Sequence, residues 1–125
     1  MAATAGAALF SATLVTGAAA ATESGTAAAL PSCTSNYMYL PSTASGSWEC
    51  VLGVGNAGLA VEVLQRSLNQ CNGQNIVRDG IYGSATRSAV VNVQRKAGIA
   101  DDGVYGPDTR RNMLWLTATG CNPRR

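Results

Sequence analysis

The sequence predicts a small all-α fold, a three-helix bundle with two Asp-Gly loops, preceded by an irregular arm. Three observations carry that expectation. The phrase Asp79-Gly80-Ile81-Tyr82-Gly83-Ser84-Ala85-Thr86-Arg87 returns as Asp102-Gly103-Val104-Tyr105-Gly106-Pro107-Asp108-Thr109-Arg110, with Asp, Gly, Tyr, Gly, Thr and Arg in register, so one supersecondary unit is used twice. Apolar residues recur at helical spacing before and after each copy. Helix stops, Asn72-Gly73 and Gly98, fall where those stripes end.

Composition sets the bounds. The chain has 125 residues, 46% hydrophobic and 13% charged, which suits one domain and is too low in charge for a disordered chain. Much of the alanine lies before residue 31, so the core is expected from the second half. Nine Lys or Arg against seven Asp or Glu leave a net charge of +2 without a run of like sign, and no nucleic-acid footprint is visible. Histidine is absent. That removes the commonest general base, the commonest zinc ligand and every Ser/His or Cys/His pairing.

In chain order, residues 1–21 carry no charge and close on Ala18-Ala19-Ala20-Ala21, small residues that meet a secretory cleavage site. They are expected to be a signal peptide, and the mature form to be secreted. No Lys or Arg precedes the apolar stretch, which implies either a start codon upstream or a weak leader. Thr, Ser and Gly interrupt it too often for a membrane span. Residues 22–54 are rich in Ala, Ser and Thr and read as a linker or loosely ordered arm. Tyr37, Tyr39 and Trp48 stand out between Cys33 and Cys50, either as a lid over a small core or as a sugar-stacking platform.

From Gly58, Val61, Leu64 and Leu68 form an apolar stripe, with Glu62, Gln65, Arg66 and Asn69 read as its polar face. After the first turn, Ala89, Val90, Val93 and Ala97 form a second stripe. After the second turn, Pro107 suits a first helical position, and Thr109, Met113 and Leu116 outline a third helix, with Trp115 available to close the bundle. Asp-Gly is a turn signal, because Asp bonds its own backbone and Gly accepts positive φ.

The four cysteines have no CxxC pair and suit disulfides in an oxidising compartment. Three pairings are open. Cys33 with Cys50 closes a small loop, and Cys71 with Cys121 ties the end of the bundle to its beginning, contributing roughly 3 to 4 kcal/mol; this pairing is favoured.

The run Gly58-x-x-Val61-x-x-Leu64-Gln65-x-x-Leu68, Gly73, Asp79-Gly80-x-Tyr82-Gly83-x-x-Thr86-x-x-Ala89-Val90-x-x-Val93-Gln94, Gly98, Asp102-Gly103-x-Tyr105-Gly106-x-x-Thr109 and Leu114 resembles the bacterial peptidoglycan-binding domain. The resemblance covers about residues 55 to 117, within an expected domain of residues 55–121. It implies a three-helix fold that recognises cell-wall peptidoglycan.

Asp79, Tyr82, Thr86, Arg87, Asp102, Tyr105, Thr109 and Arg110 are the candidate ligand-binding residues. Turn chemistry alone explains the Asp and Gly positions. A tyrosine can bury its ring and leave its hydroxyl outside to meet a sugar or amide. The arginines either form a solvated face or grip carboxylates with paired hydrogen bonds. The turns lack the spaced oxygens and closing Glu of an EF-hand, so neither metal nor cofactor is expected. The acids Glu23, Glu49, Glu62, Asp79, Asp101, Asp102 and Asp108 form no evident catalytic pair, and no enzyme is expected. The expected function is a secreted, monomeric, non-catalytic module that binds peptidoglycan at the cell wall, with no nucleic acid or membrane partner in the mature form. The alternative is a secreted protein-interaction module, an inhibitor or accessory subunit of a wall hydrolase.

Overall fold

In the computed structural model, which describes residues 29–124, the repeated phrase twice builds a turn that feeds a helix. Helix α1 (Leu59–Cys71) buries Val61, Leu64 and Leu68 as their spacing requires, and stops at Asn72. Helix α2 (Ser84–Ala97) buries Ala89, Val90 and Val93 and ends on Gly98 at φ 72°, the left-handed C-terminal residue that glycine adopts without strain. Helix α3 (Pro107–Arg111) starts on Pro107. The expected signal peptide and Glu23 lie outside the described residues.

Two expectations need correction. The fold is not all-α: two small antiparallel sheets accompany the three helices, β1 (Ser35–Tyr37) with β2 (Leu40–Ser42), and β3 (Leu114–Thr117) with β4 (Gly120–Pro123). The third helix stops at Arg111 because the chain beyond it alternates. Met113, Trp115 and Thr117 are buried, whereas Leu114 is exposed and Leu116 half-buried, a period of two that belongs to a strand. Asn72 docks this hairpin on the end of α1: its side chain donates to Leu114 O (2.8 Å) and accepts from Leu114 N (3.1 Å).

The second correction concerns the arm, which from residue 30 onward is built into the fold. Leu40, Cys50 and Leu52 join the same core cluster as Leu64, Tyr82, Tyr105 and Trp115. One extended stretch pairs with both repeated turns. Leu52 and Tyr105 exchange backbone hydrogen bonds (2.9 and 2.8 Å), Tyr82 N donates to Asn56 O (2.9 Å), and Gly58 N donates to Gly80 O (2.7 Å). Of the three aromatics in the arm, Trp48 packs against this core, whereas Tyr37 and Tyr39 are exposed. Disulfides join Cys33 to Cys50 and Cys71 to Cys121.

The β1–β2 turn is unusual. Met38 (φ 50°) and Tyr39 (φ 75°) both occupy the left-handed region, as a two-residue hairpin turn demands, yet neither is the Asn or Gly that tolerates it. Such residues cost about 1 to 3 kcal/mol each. Trp48 Nε1, donating to Tyr37 O at 3.0 Å, helps to hold the hairpin.

The turns themselves are pinned from inside by glutamine. Gln65 Nε2 donates to Asp79 Oδ1 (3.1 Å), Ile81 O (3.0 Å) and Thr86 Oγ1 (3.0 Å), while Gln65 Oε1 accepts Gly80 N–H (2.9 Å). Gln94 repeats every contact one unit later, with Asp102 Oδ1 (3.2 Å), Val104 O (2.9 Å), Thr109 Oγ1 (3.0 Å) and Gly103 N (2.9 Å). Gln65 is fully buried and so does not belong to the polar face assigned to it; its spacing from Val61 and Leu68 places it on their stripe. The first glycine of each phrase, Gly80 or Gly103, sits at φ +73°, a region that favours glycine.

Gln65→Leu keeps the volume and strands the buried Gly80 N–H. A loss of about 2 to 4 kcal/mol is expected in urea unfolding, and Gln94→Leu is expected to match it, because the two grips are copies. A change below about 0.5 kcal/mol in either would contradict this account of the turns.

Candidate functional site

The eight candidate residues divide by what already holds them. Asp79 and Thr86 are spoken for by Gln65, and Asp102 and Thr109 by Gln94. The Ile81 N–H, ahead of the Gln65 amide, holds the Asp79 carboxyl below the usual range, the expected effect of hydrogen bonds to the charged form.

Neither tyrosine leaves its hydroxyl outside. Tyr82 is buried and donates to Gly103 O at 2.7 Å, so the first turn holds the second. Tyr105 is fully buried, its ring edge-on to Trp115 at 5.9 Å, and its hydroxyl has no hydrogen-bond partner. Burial pushes both hydroxyls well above the ordinary tyrosine pKa.

The two arginines also differ. Arg87 is exposed and lies across the second turn: its Nη2 reaches Asp102 O at 3.4 Å, and a Cβ at Gly103 would sit 2.6 Å from Arg87 Cγ. Arg110, its counterpart, is only 5% exposed at the side chain. It donates to Trp48 O (3.1 Å) and Glu49 Oε2 (3.0 Å) and sits 5.6 Å from the Trp48 ring centroid. That arginine clamps the arm rather than facing solvent.

Beside the second turn lies an open groove of about 310 Å³, lined by Val51, Ile99, Asp102, Val104, Asp108 and Thr109, among others. It brings together Asp102 and Thr109 from the candidate set and adds Asp108 and the apolar Val104. A larger groove of about 440 Å³ runs between the ends of α1 and α2 and the β3–β4 hairpin, with Lys96 and Arg111 on its rim. Among the described residues, no three His, Cys, Asp or Glu side chains gather to hold a metal ion, and no helix is long and apolar enough to cross a membrane.

Sequence reading missed Gln65 and Gln94 as internal anchors, although each stands on its helix's buried stripe. It also missed Glu49 and Trp48 as partners of Arg110, for which sequence holds no local signal: they lie 61 and 62 positions away.

Comparison with known proteins finds matches over part of the chain. Residues 57–113 match the family described as "Putative peptidoglycan binding domain". The chain is 34% identical over 79 residues to the zinc D-Ala-D-Ala carboxypeptidase of Streptomyces albus G, which covers 62% of this chain and 31% of that protein. It is 41% identical over 83 residues to a probable N-acetylmuramoyl-L-alanine amidase of Bacillus licheniformis, covering 64% of this chain and 23% of the amidase. The chain thus spans less than a third of the length of these curated relatives. Among solved structures, the SleB N-terminal domain is 35% identical, with a TM-score of 0.47, covering 50% of this chain and 85% of that one. Residues 57–113 of this chain belong to the peptidoglycan-binding domain family.

Proposed function

We propose that this protein is a secreted, non-catalytic module that docks on cell-wall peptidoglycan through the face carrying the groove beside the second Asp-Gly turn. Membership of residues 57–113 in the peptidoglycan-binding family carries this reading. Two further features support it. The groove is shallow, open and mixed in polarity, with apolar Val51 and Val104 beside Asp102 and Asp108, a surface suited to hydrogen bonding and apolar contact with a polymer. Weak single-site affinity then becomes useful because the polymer offers many sites.

The acids are poorly placed for hydrolysis. Asp101 is paired with Arg95 at 2.7 Å, Asp108 with Arg111 at 3.2 Å and Glu49 with Arg110 at 3.0 Å. Asp79 and Asp102 are engaged by the glutamines. Every one of these carboxylates has a structural occupation, and we assign none a catalytic one.

Co-sedimentation with purified insoluble peptidoglycan tests the reading. The oxidised protein is expected to pellet saturably, and Asp108→Lys, which reverses the charge of an exposed groove residue, to pellet at least severalfold more weakly. A parent protein that stays in solution would remove wall binding and favour a protein partner. An unaffected Asp108→Lys variant would remove this groove.

The tyrosines supply a separate check without ligand. Tyr82→Phe is expected to lose about 1 kcal/mol with its bond to Gly103, whereas Tyr105→Phe, which removes a buried hydroxyl without a partner, is expected to be neutral or stabilising. An unfolded tyrosine ionises near pH 10, and the folded value is higher. Tyrosine's contribution is therefore intact below about pH 10 and lost as pH rises beyond it. Urea unfolding at about pH 8 and pH 10.5 is expected to show a smaller alkaline loss in Tyr105→Phe than in the parent; an equal loss would refute this assignment.

A further inference from the structure

A third groove, of about 300 Å³, separates the β1–β2 hairpin from α1, and one of its walls comes from outside the family domain. Tyr39 stands on the hairpin side. Leu59 and Val63 present apolar surface from α1, while Arg66, Arg78 and Glu62 supply charge. We infer that this groove binds a short peptide ending in a small apolar residue with a free carboxylate, the carboxylate on Arg66 and Arg78 and the residue against Tyr39 and Val63.

Charge is the first ground. Arg66 forms no ion pair among the described residues, and its buried Nε has no hydrogen-bond partner. Arg78 is held by Glu62 only at 3.7 Å, with both side chains substantially exposed. Two guanidiniums against one carboxylate leave an excess positive charge, and a planar guanidinium fork matches a second carboxylate.

The hairpin is the second ground. Met38 and Tyr39 keep left-handed backbone that Asn-Gly would adopt far more easily, and they leave large apolar side chains 51% and 39% exposed. Strain of this kind persists where a side chain at that place has a use. Here it keeps an aromatic ring on the wall of a cationic groove. The occupant, the free end of a peptidoglycan stem peptide, rests on the wall-binding reading; the groove's preference for a carboxylate does not.

An amide-resolved NMR titration of the intact oxidised protein with an N-acetylated D-alanine dipeptide tests the inference, with the same peptide as its C-terminal amide for comparison. The free carboxylate is expected to shift Tyr39, Val63, Arg66 and Arg78, and the amide form to bind about tenfold more weakly. Arg66→Gln is expected to weaken binding about tenfold. Glu62→Gln releases Arg78 and is expected to strengthen it. Replacing Met38-Tyr39 by Asn-Gly separates stability from binding, because it relieves the turn and removes the ring: the variant is expected to unfold at higher urea yet bind severalfold more weakly. Shifts elsewhere, or Arg66→Gln and Asn-Gly variants that fold and bind as the parent does, would overturn the site. If the parent pellets with peptidoglycan but the dipeptide leaves this groove unmoved, the groove assignment fails and wall binding stands. If the dipeptide titrates the groove while the polymer fails to pellet the parent, the stem-peptide occupant is overturned.

Discussion

A buried primary amide, used twice, is the constraint on which the structure depends. Each Asp-Gly turn, with the first turn of the helix after it, presents a carboxylate, a carbonyl, a hydroxyl and a backbone N–H to the helix that precedes it. The carboxylate stays exposed, but the glycine N–H and the threonine hydroxyl are buried and would lack partners, at a cost of about 1 to 3 kcal/mol each. Glutamine suits the place because one side chain both donates and accepts. Gln65 and Gln94 each meet three oxygens and one N–H, so every member of the turn is satisfied by one residue. A fully satisfied polar cluster fixes geometry in a way that apolar contact does not. Turn spacing thereby becomes a rigid property of the fold.

From these two turns the rest is laced together by reach. The first copy grips the second, through the Tyr82 hydroxyl on Gly103 and Arg87 on Asp102. The second copy grips what flanks the domain in sequence, with Tyr105 against Trp115 and Arg110 on Trp48 and Glu49. Identical positions therefore do different work according to their neighbours. The Arg110 clamp combines two hydrogen bonds with contact to an aromatic face, and the Cys33–Cys50 bridge closes the same loop from its other side. The arm thereby supplies Leu40 and Leu52 to a core that the helical part could complete only poorly by itself.

Legibility in the sequence followed periodicity and ended where contacts became nonlocal. Helices α1 and α2 were readable because Val61, Leu64 and Leu68, and then Ala89, Val90 and Val93, repeat at the helical period, and Gly98 ended the second as a left-handed glycine must. The turns were readable from Asp-Gly. The third helix was overextended because Thr109, Met113 and Leu116 also fit a helical template, whereas the alternation of Met113, Trp115 and Thr117 is only three residues deep. The arm misled by composition: Ala, Ser and Thr predominate, and the apolar residues that pack, Leu40 and Leu52, lie too far apart to show a period. The candidate site suffered in another way. Asp, Thr and Tyr in a repeated turn look equally like ligand contacts and like joints, and only the positions of Gln65 and Gln94 show how many of their polar atoms are already engaged.

Under the proposed function, recognition falls mainly outside the residues that the glutamines hold. A residue whose polar atoms are engaged inside the protein has little left for a ligand, and the buried threonines, tyrosines and glycine N–H groups of the repeat serve the scaffold. Exposed groups line the margins: Val104 and Asp108 beside the second turn, and Tyr39 and Arg78, with Arg66, where the arm faces α1. These margins differ in kind. The groove by the second turn is formed by the repeated unit with Val51 from the arm, whereas the groove by the hairpin needs residues that the family domain does not contain. A guanidinium clamp and a shared core fasten the arm, and the Cys33–Cys50 bridge closes it on itself, so at the inferred site this wall would not pay its ordering entropy at each binding event. A turn that keeps Met38 and Tyr39 in left-handed backbone fits the same logic: stability is given up locally, in a place where the surrounding fold is tied tightly enough to bear it.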